Sequence, residues 1–501
     1  MPGNGPLLAG KPVCYNGCRL KNSQEEGHRH MLQDTEVVPQ PLGDYQPVDQ
    51  WQAHINDLFH QLRGERAGEY FQTFTSSDYR LAHALAADYV ERVRARDRTW
   101  TDERRTAPLV VHEWGASHGN LAACFLSHVK SLDQAGTIYP RIRYVLVDQR
   151  PQALEQALAH PDLAGHQERV ETICGNVEDL SAVEAGTVDR IFCNELWNEL
   201  PTKLMTKKDG EVEEEHVRPN LSEAKHAAIA DWSGFIRAFA KKDAAALAGF
   251  PPFFDDVIWE REYRKVEWKD VPYRKTIMEF LKQIDEQVLV PVNVGAFATV
   301  KEAKRLLMAG AIGFSSFDAG TADVAVLNNP EKPCSGQFGG LYSVMVNLAL
   351  VGAVANHLGI REVLVEPQRE FVGRSLGVNV ITLTDLLATH PKAKDLAKWE
   401  QDRLIVQTIR ALNESYHSPY RRRLHFPLSP DFPQEEREAV QGTLLSLKQD
   451  GVPDTVAYLT EEEILASLRD LEALGYERDE IDIVWGIPPA GVDYAHWSFK
   501  P

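Results

Sequence analysis

Glu113, Gly115 and Gly119 stand in the stretch VVHEWGASHGNLA at 110–122, whose residue types suit a nucleotide-like ligand. A β-branched run ends in Glu113, the two glycines bracket a turn holding Ala116 and Ser117, and Leu121 opens a predicted helix. A strand entering a helix this way leaves backbone N–H groups free at the helix N-terminus. Glycine there permits φ > 0 and close approach of a ligand. A second acid, Asp148, closes the run RYVLVD, with Gln149 behind it. An acid at the tip of the second strand suits ribose hydroxyls. Asn176 and Val177, in CGNVED, would approach an adenine edge. Asn194 and Glu195, directly after the apolar run VDRIFC, would face the reactive end of the ligand. Each residue also has a plainer reading as turn punctuation or a solvated strand end.

These residues need strands and helices to bring them together. The alternation of apolar runs and helical segments predicts an open parallel α/β sheet with ligand residues at the carboxyl ends of its strands. Residues 1–45 read as a mobile arm or surface wrap and 46–107 as N-terminal helices, with Trp51, His54, Ile55, Leu58 and Leu62 at helical spacing. Residues 108–204 form the α/β core. Residues 205–285 interrupt it with a hairpin or acidic surface excursion at LMTKKDGEVEEEHVRPN and helices at Asp231–Phe250 and Pro272–Ile284. Such an insertion suits a substrate lid. The core resumes over 286–378, with strands at Val288–Asn293 and Ala311–Phe317, a helix at Leu341–Leu358 and a terminal turn at Phe371–Gly377. Residues 379–501 read as a helical extension.

Composition narrows the classes. The chain has 501 residues, 54 Lys plus Arg and 73 Asp plus Glu, for a net charge of −19. That balance argues against a nucleic-acid footprint, which needs phosphate-neutralising cations, and suits a basic partner such as a protein segment carrying arginine. The six cysteines are scattered, as in a reducing compartment. Cys14 and Cys18 with His28 and His30 are too loosely spaced for a defined metal site, so no metal is expected. No long apolar run predicts a membrane span, and the first 30 residues lack a signal-type segment, so a cytoplasmic location is expected. The oligomeric state is open, a homodimer being one option.

With these pieces in order, the chain resembles the MidA family of class I S-adenosylmethionine-dependent methyltransferases. HEWGASHGNLA at 112–122 is similar to that family's E-x-G-x-G-x-G-x-L loop, and NELWNELPTKLM at 194–205 to its N-E-F-F-D-A-L-P-V segment. AKRLLMAGAIGFSSFDAG at 303–320, QREFVGRSLG at 368–377 and FTSS at 74–77 resemble further family segments in the same order. The departures are Ser117 for the middle glycine, Asn198 for the Asp of N-E-F-F-D, and Met345 and Asn347 in YSVMVNL. The resemblance implies a Rossmann-like sheet with helices on both faces and S-adenosyl-L-methionine as cofactor. Its family includes a mitochondrial enzyme that dimethylates an arginine during respiratory complex I assembly.

Methyl transfer from a sulfonium needs alignment and exclusion of water, and a nitrogen nucleophile must also lose a proton. Glu195 and Glu199 at i and i+4 would share a helical face and hold a guanidinium fork. Asn194 and Glu195 are the better candidates. Asp318 would shape the pocket floor or cap a turn, and Trp197 would stack on a cation or fill the core. Ser117 and Asn198 leave two other readings open, a small-molecule methyltransferase and a non-catalytic assembly protein.

Overall fold

Strand alternation sorts the core side chains onto two faces. Val111, Tyr144, Leu146, Phe192 and Phe317 pack on one side of a central sheet, while Trp114, Val145, Val147, Ile191 and Phe314 pack on the other. The computed structural model describes residues 39–64, 78–116, 118–416, 419–420, 428–429, 431–446, 458–486 and 491–501. Its central sheet has β1 (Leu109–Trp114), β2 (Ile142–Asp148), β3 (Val170–Cys174), β4 (Arg190–Asn194), β5 (Gly313–Thr321), β6 (Val363–Pro367) and β7 (Asp493–Phe499). The order is β6-β7-β5-β4-β1-β2-β3, with the short strand Val346–Asn347 added beside β5. Neighbours from β3 to β5 pair in parallel, and β7 runs antiparallel to β5 and β6.

The chain builds β1, β2 and β3 outward, then returns to place β4 on the other side of β1. The crevice at such a reversal, outside the carboxyl ends of the strands, is where open α/β sheets bind ligands. Helices cover both faces. On one side lie α2 (Arg80–Asp97), α3 (Asn120–Leu132), α4 (Pro151–Leu158) and α7 (Gln368–Leu376). On the other lie α5 (Val294–Leu306) and α6 (Leu348–His357). The expected Rossmann-like α/β sheet is therefore present.

A second, antiparallel sheet grows from the carboxyl end of β4. Its main strands are Lys203–Lys208, Glu211–Leu221, Ile258–Lys265 and Val290–Val292. Helix α1 (Val48–Arg63) belongs to this unit: its Trp51, Ile55, Leu58 and Phe59 pack with Phe235, Phe239, Phe253 and Phe254. The expected hairpin in the insertion is the pair Lys203–Lys208 and Glu211–Leu221.

Several expectations need correction. Within the expected arm, residues 40–41 pair with the long strand Glu211–Leu221, and residues 46–47, expected in the helical segment, pair with the same strand. The insertion is a sheet with helices, because WEREYRK at 259–265 pairs along Glu211–Leu221. The expected helix Asp231–Phe250 splits into Trp232–Ala240 and Ala244–Leu247, with Lys242 in the left-handed region between them. Val290–Val292 joins the second sheet, not the core. Leu341–Val344 is a strand, and only Leu348–His357 of the expected long helix is helical. Phe371 lies inside α7, which ends at Gly377 with φ 71°. The last 120 residues are not all helical extension: β7 inserts between β5 and β6 and completes the central sheet.

Among the described residues no helix is long and apolar enough to cross a membrane, and no group of His, Cys, Asp and Glu is placed to hold a metal. Residues 14–30, Phe74–Ser77 and Ser117 lie outside the described residues.

Candidate functional site

The glycine loop is held open by backbone geometry. Gly115 has φ 80° and its N–H donates to the Val147 carbonyl at 2.8 Å, which fastens the loop to the end of β2. Gly119 has φ 77° and caps α3; a Cβ there would lie 2.5 Å from the Ala157 carbonyl oxygen. Both features demand glycine. Ala116 is buried, and its carbonyl accepts the Gly119 N–H at 3.0 Å. This cradle fits the adenosyl cofactor that the resemblance implies. Glu113 is turned into the α3-covered face, where its Oε2 accepts the Tyr144 hydroxyl at 2.6 Å. Burial pushes Glu113 up to about 8, offset in part by that hydrogen bond.

Asp148 ends β2 and is 4% exposed. Its carboxylate accepts the Arg150 N–H at 2.9 Å, Nε at 3.0 Å and Nη2 at 3.2 Å. Gln149 is exposed, and Val177 is buried just past β3. Asn176 is exposed, its Oδ1 accepting the Glu178 N–H at 3.0 Å in a local turn.

Asn194 and Glu195 leave β4 at the same sheet edge. Glu195 has φ 51°, an uncommon conformation for a residue with a side chain, and donates its N–H to the Phe317 carbonyl at 2.7 Å. The segment after it is a turn, not a helix, so Glu195 and Glu199 do not share a helical face. The physical reason is Asp318. Its carboxylate accepts the Trp197 N–H at 2.9 Å and the Asn198 N–H at 3.3 Å, which curls the chain over the end of β5. Burial pushes Asp318 up to about 7 against these hydrogen bonds. Trp197 is not a cation platform: fully buried, it stacks on Phe314 and donates Nε1–H to Thr299 Oγ1 at 2.8 Å.

Helix α1 holds this turn from outside, which no sequence pattern announced. Gln52 donates Nε2–H to the Asn198 carbonyl and accepts the Thr202 N–H, both at 2.9 Å. Asn56 exchanges two hydrogen bonds with the Tyr342 backbone, at 2.9 and 2.8 Å. His60 Nε2 lies 2.8 Å from Glu199 Oε2. Residues 52, 56 and 60 form one stripe of the helix. Gln52→Ala is expected to destabilise by about 2 kcal/mol, because a buried N–H and carbonyl lose their partner. Denaturant melts should show it, with faster amide exchange across residues 198–202; unchanged exchange there would refute this role.

The far wall comes from late sequence. Gln368, first in α7, is fully buried, and neither of its amide atoms has a hydrogen-bond partner among the described residues. Tyr494 and Tyr458 lie in the electrostatic field of Glu195 and Asp493, and Tyr494 also in that of Asp318. Among the residues of the YSVMVNL stretch, Asn347 is structural: its Oδ1 accepts the Leu350 N–H at 3.0 Å and so caps α6.

Residues 84–313 match the model of a family described as "Putative S-adenosyl-L-methionine-dependent methyltransferase". The match covers rather less than half of the 501 residues. The matched region holds the glycine loop, Asp148, the turn after β4 and most of the second sheet, while nearly all of β5, with β6, α7 and β7, follows it and completes the central sheet. No curated protein matches the chain. Among solved structures, it is similar to a superfamily member from Burkholderia thailandensis crystallised with S-adenosyl-homocysteine, at 12% identity and TM-score 0.48, over 91% of this chain and 88% of that one. A methyltransferase from Thiobacillus denitrificans, also with S-adenosyl-L-homocysteine, is 12% identical, with TM-score 0.23, over 81% and 88% of the two chains.

One further constellation lies in the central sheet near the candidate site. Ser315 Oγ is 2.7 Å from His496 Nε2, and His496 Nδ1 is 2.9 Å from Glu366 Oε1, across β5, β7 and β6. The order is that of a nucleophilic triad. Ser315 is fully buried and accepts from Arg190 Nη2 at 2.8 Å, so it is a structural tie and offers no access to substrate.

Proposed function

We propose that the chain transfers a methyl group from S-adenosyl-L-methionine to a nitrogen nucleophile of the guanidinium type, carried on a protein. The observation that supports this best is geometric: Asn194 and Glu195 leave β4 directly beside the end of β1 that carries the glycine loop, Cys193 pairing with Trp114. A carboxylate at that edge suits a planar cationic donor. The net charge of −19 would also draw a basic protein segment.

The cofactor supplies a methyl group activated on a sulfonium. In this reading Gly115, Ala116 and Gly119 would give the backbone cradle, and Glu113 would brace it from below. Asp148 and Gln149 hold the ribose, and Asn176 and Val177 flank the adenine. Asn194 and Glu195 would face the reacting end of the site, and Glu195 would accept the proton that the nitrogen sheds. Glu199 orients the turn through His60. The second sheet acts as the lid that excludes water. A small acceptor is the second reading, favoured by one observation: Tyr458 and Asp78 are buried, at 1% and 3% exposure, close to this edge.

Calorimetric titration with S-adenosylhomocysteine tests the cofactor reading. Asp148→Ala removes the charged acceptor of two hydroxyls and should weaken binding about 30-fold or more. A folded wild-type chain that binds neither S-adenosylmethionine nor S-adenosylhomocysteine would end it. Labelled methyl groups entering protein in a lysate would support the guanidinium acceptor; label found only in small molecules would support the second reading.

A further inference from the structure

Arg150 stands where the cofactor reading needs an open acceptor. In DQRP, Pro151 starts α4, and the Arg150 backbone returns its N–H to Asp148 Oδ1. The side chain then lies along the same carboxylate, Nε on Oδ1 at 3.0 Å and Nη2 on Oδ2 at 3.2 Å. Two carboxylate oxygens offer about four acceptor directions, and Arg150 takes three of them. A ribose diol needs two, and it meets a carboxylate with the same two-pronged geometry as a guanidinium. The pair is lopsided in exposure, with the Asp148 side chain 4% and that of Arg150 29% exposed. The carboxylate is thus fixed in the fold, while the arginine can swing away. Burial lowers the guanidinium's affinity for its proton, but Asp148, with Glu199 and Asp57 further off, outweighs it.

We propose that Arg150 sets the cofactor affinity of this chain by competing with the ribose hydroxyls for Asp148. The proposal rests on the cofactor reading above. It makes Arg150 an affinity-determining residue of the adenosyl site, and one that works against binding.

The test is calorimetric titration of the full chain with S-adenosylhomocysteine, comparing wild type, Arg150→Ala, Arg150→Lys and Asp148→Ala. Arg150→Ala should bind about tenfold tighter than wild type. Arg150→Lys, a point charge without the fork, should fall between. Asp148→Ala should bind worst. An analogue lacking both ribose hydroxyls should show no gain from Arg150→Ala. Unchanged or weaker binding by Arg150→Ala overturns the proposal while leaving the cofactor reading intact. A gain that persists with the hydroxyl-free analogue also overturns it. Absence of binding by every folded variant, wild type included, defeats the cofactor reading and the proposal together.

Discussion

Gly119→Val is expected to abolish binding of S-adenosylhomocysteine and to lower stability by roughly 3 kcal/mol or more. Two effects add at this position. The residue sits at φ 77°, where a β-branched side chain is strained. A Cβ would also lie 2.5 Å from the backbone oxygen of Ala157, at the end of α4, and backbone cannot rotate away as a side chain can. Either the loop or α4 must move, and both border the proposed cofactor site. Gly136 provides the control. It has φ 64°, but a Cβ there meets nothing within 4 Å, so Gly136→Val carries the strain alone and should cost about 1 kcal/mol without touching binding. Denaturant melts and calorimetry on both variants decide it. Near-equal losses in the two would show that the contact with Ala157 is unimportant.

The carboxyl ends of β1, β2 and β4 were legible because each strand is a short apolar run stopped abruptly by an acid, an amide or a glycine. Such punctuation is local, and local signals survive in sequence. β7 was not legible. Its partners, Gly313–Thr321 and Val363–Pro367, lie far back in the chain, and YAHWSF carries no periodicity that singles it out. The edge strand Ile258–Lys265 was hidden for the opposite reason: most of it is exposed, so polar residues fill both faces. Leu341–Leu358 is apolar throughout, and an unbroken apolar run cannot announce where strand gives way to helix.

The site shows the same division. Spacing placed Glu195 and Glu199 on one helical face, but a carboxylate from β5 captured the intervening amides and made a turn. Asp318 was visible as a possible cap, yet the amides it would cap were set only by the parallel pairing of β4 and β5. On α1, the apolar face was readable, whereas Gln52, Asn56 and His60 look in sequence like an ordinary solvated face. Only the fold shows them turned to the candidate site. Arg150 escaped notice because a charge beside an acid is commonplace; its significance lies in which acid it covers.

Glu113→Gln is expected to flatten the pH dependence of stability between pH 5 and 8. In the unfolded chain Glu113 ionises near its ordinary 4.5; in the folded chain burial holds its proton up to about 8. Between those values the unfolded state has released a proton that the folded state retains. Rising pH therefore favours unfolding across that window. The accumulated cost at pH 8 is on the order of 4 kcal/mol. Asp318, pushed up to about 7, and Asp493, pushed up to about 6, act in the same direction. Glu366 acts oppositely: burial raises it, but Arg374 and His496 outweigh burial and hold it at about 2, so its contribution is lost only in strong acid. The chain should then be more stable near pH 5 than at pH 8. The glutamine keeps an oxygen for the Tyr144 hydroxyl and cannot ionise, so it removes the largest of the three penalties. Melting temperatures of wild type and Glu113→Gln across pH 5 to 8 provide the comparison. Converging curves at pH 5 that separate by pH 8, the variant above, are the expected result. Parallel curves would mean that Glu113 ionises as freely in the fold as in the unfolded chain.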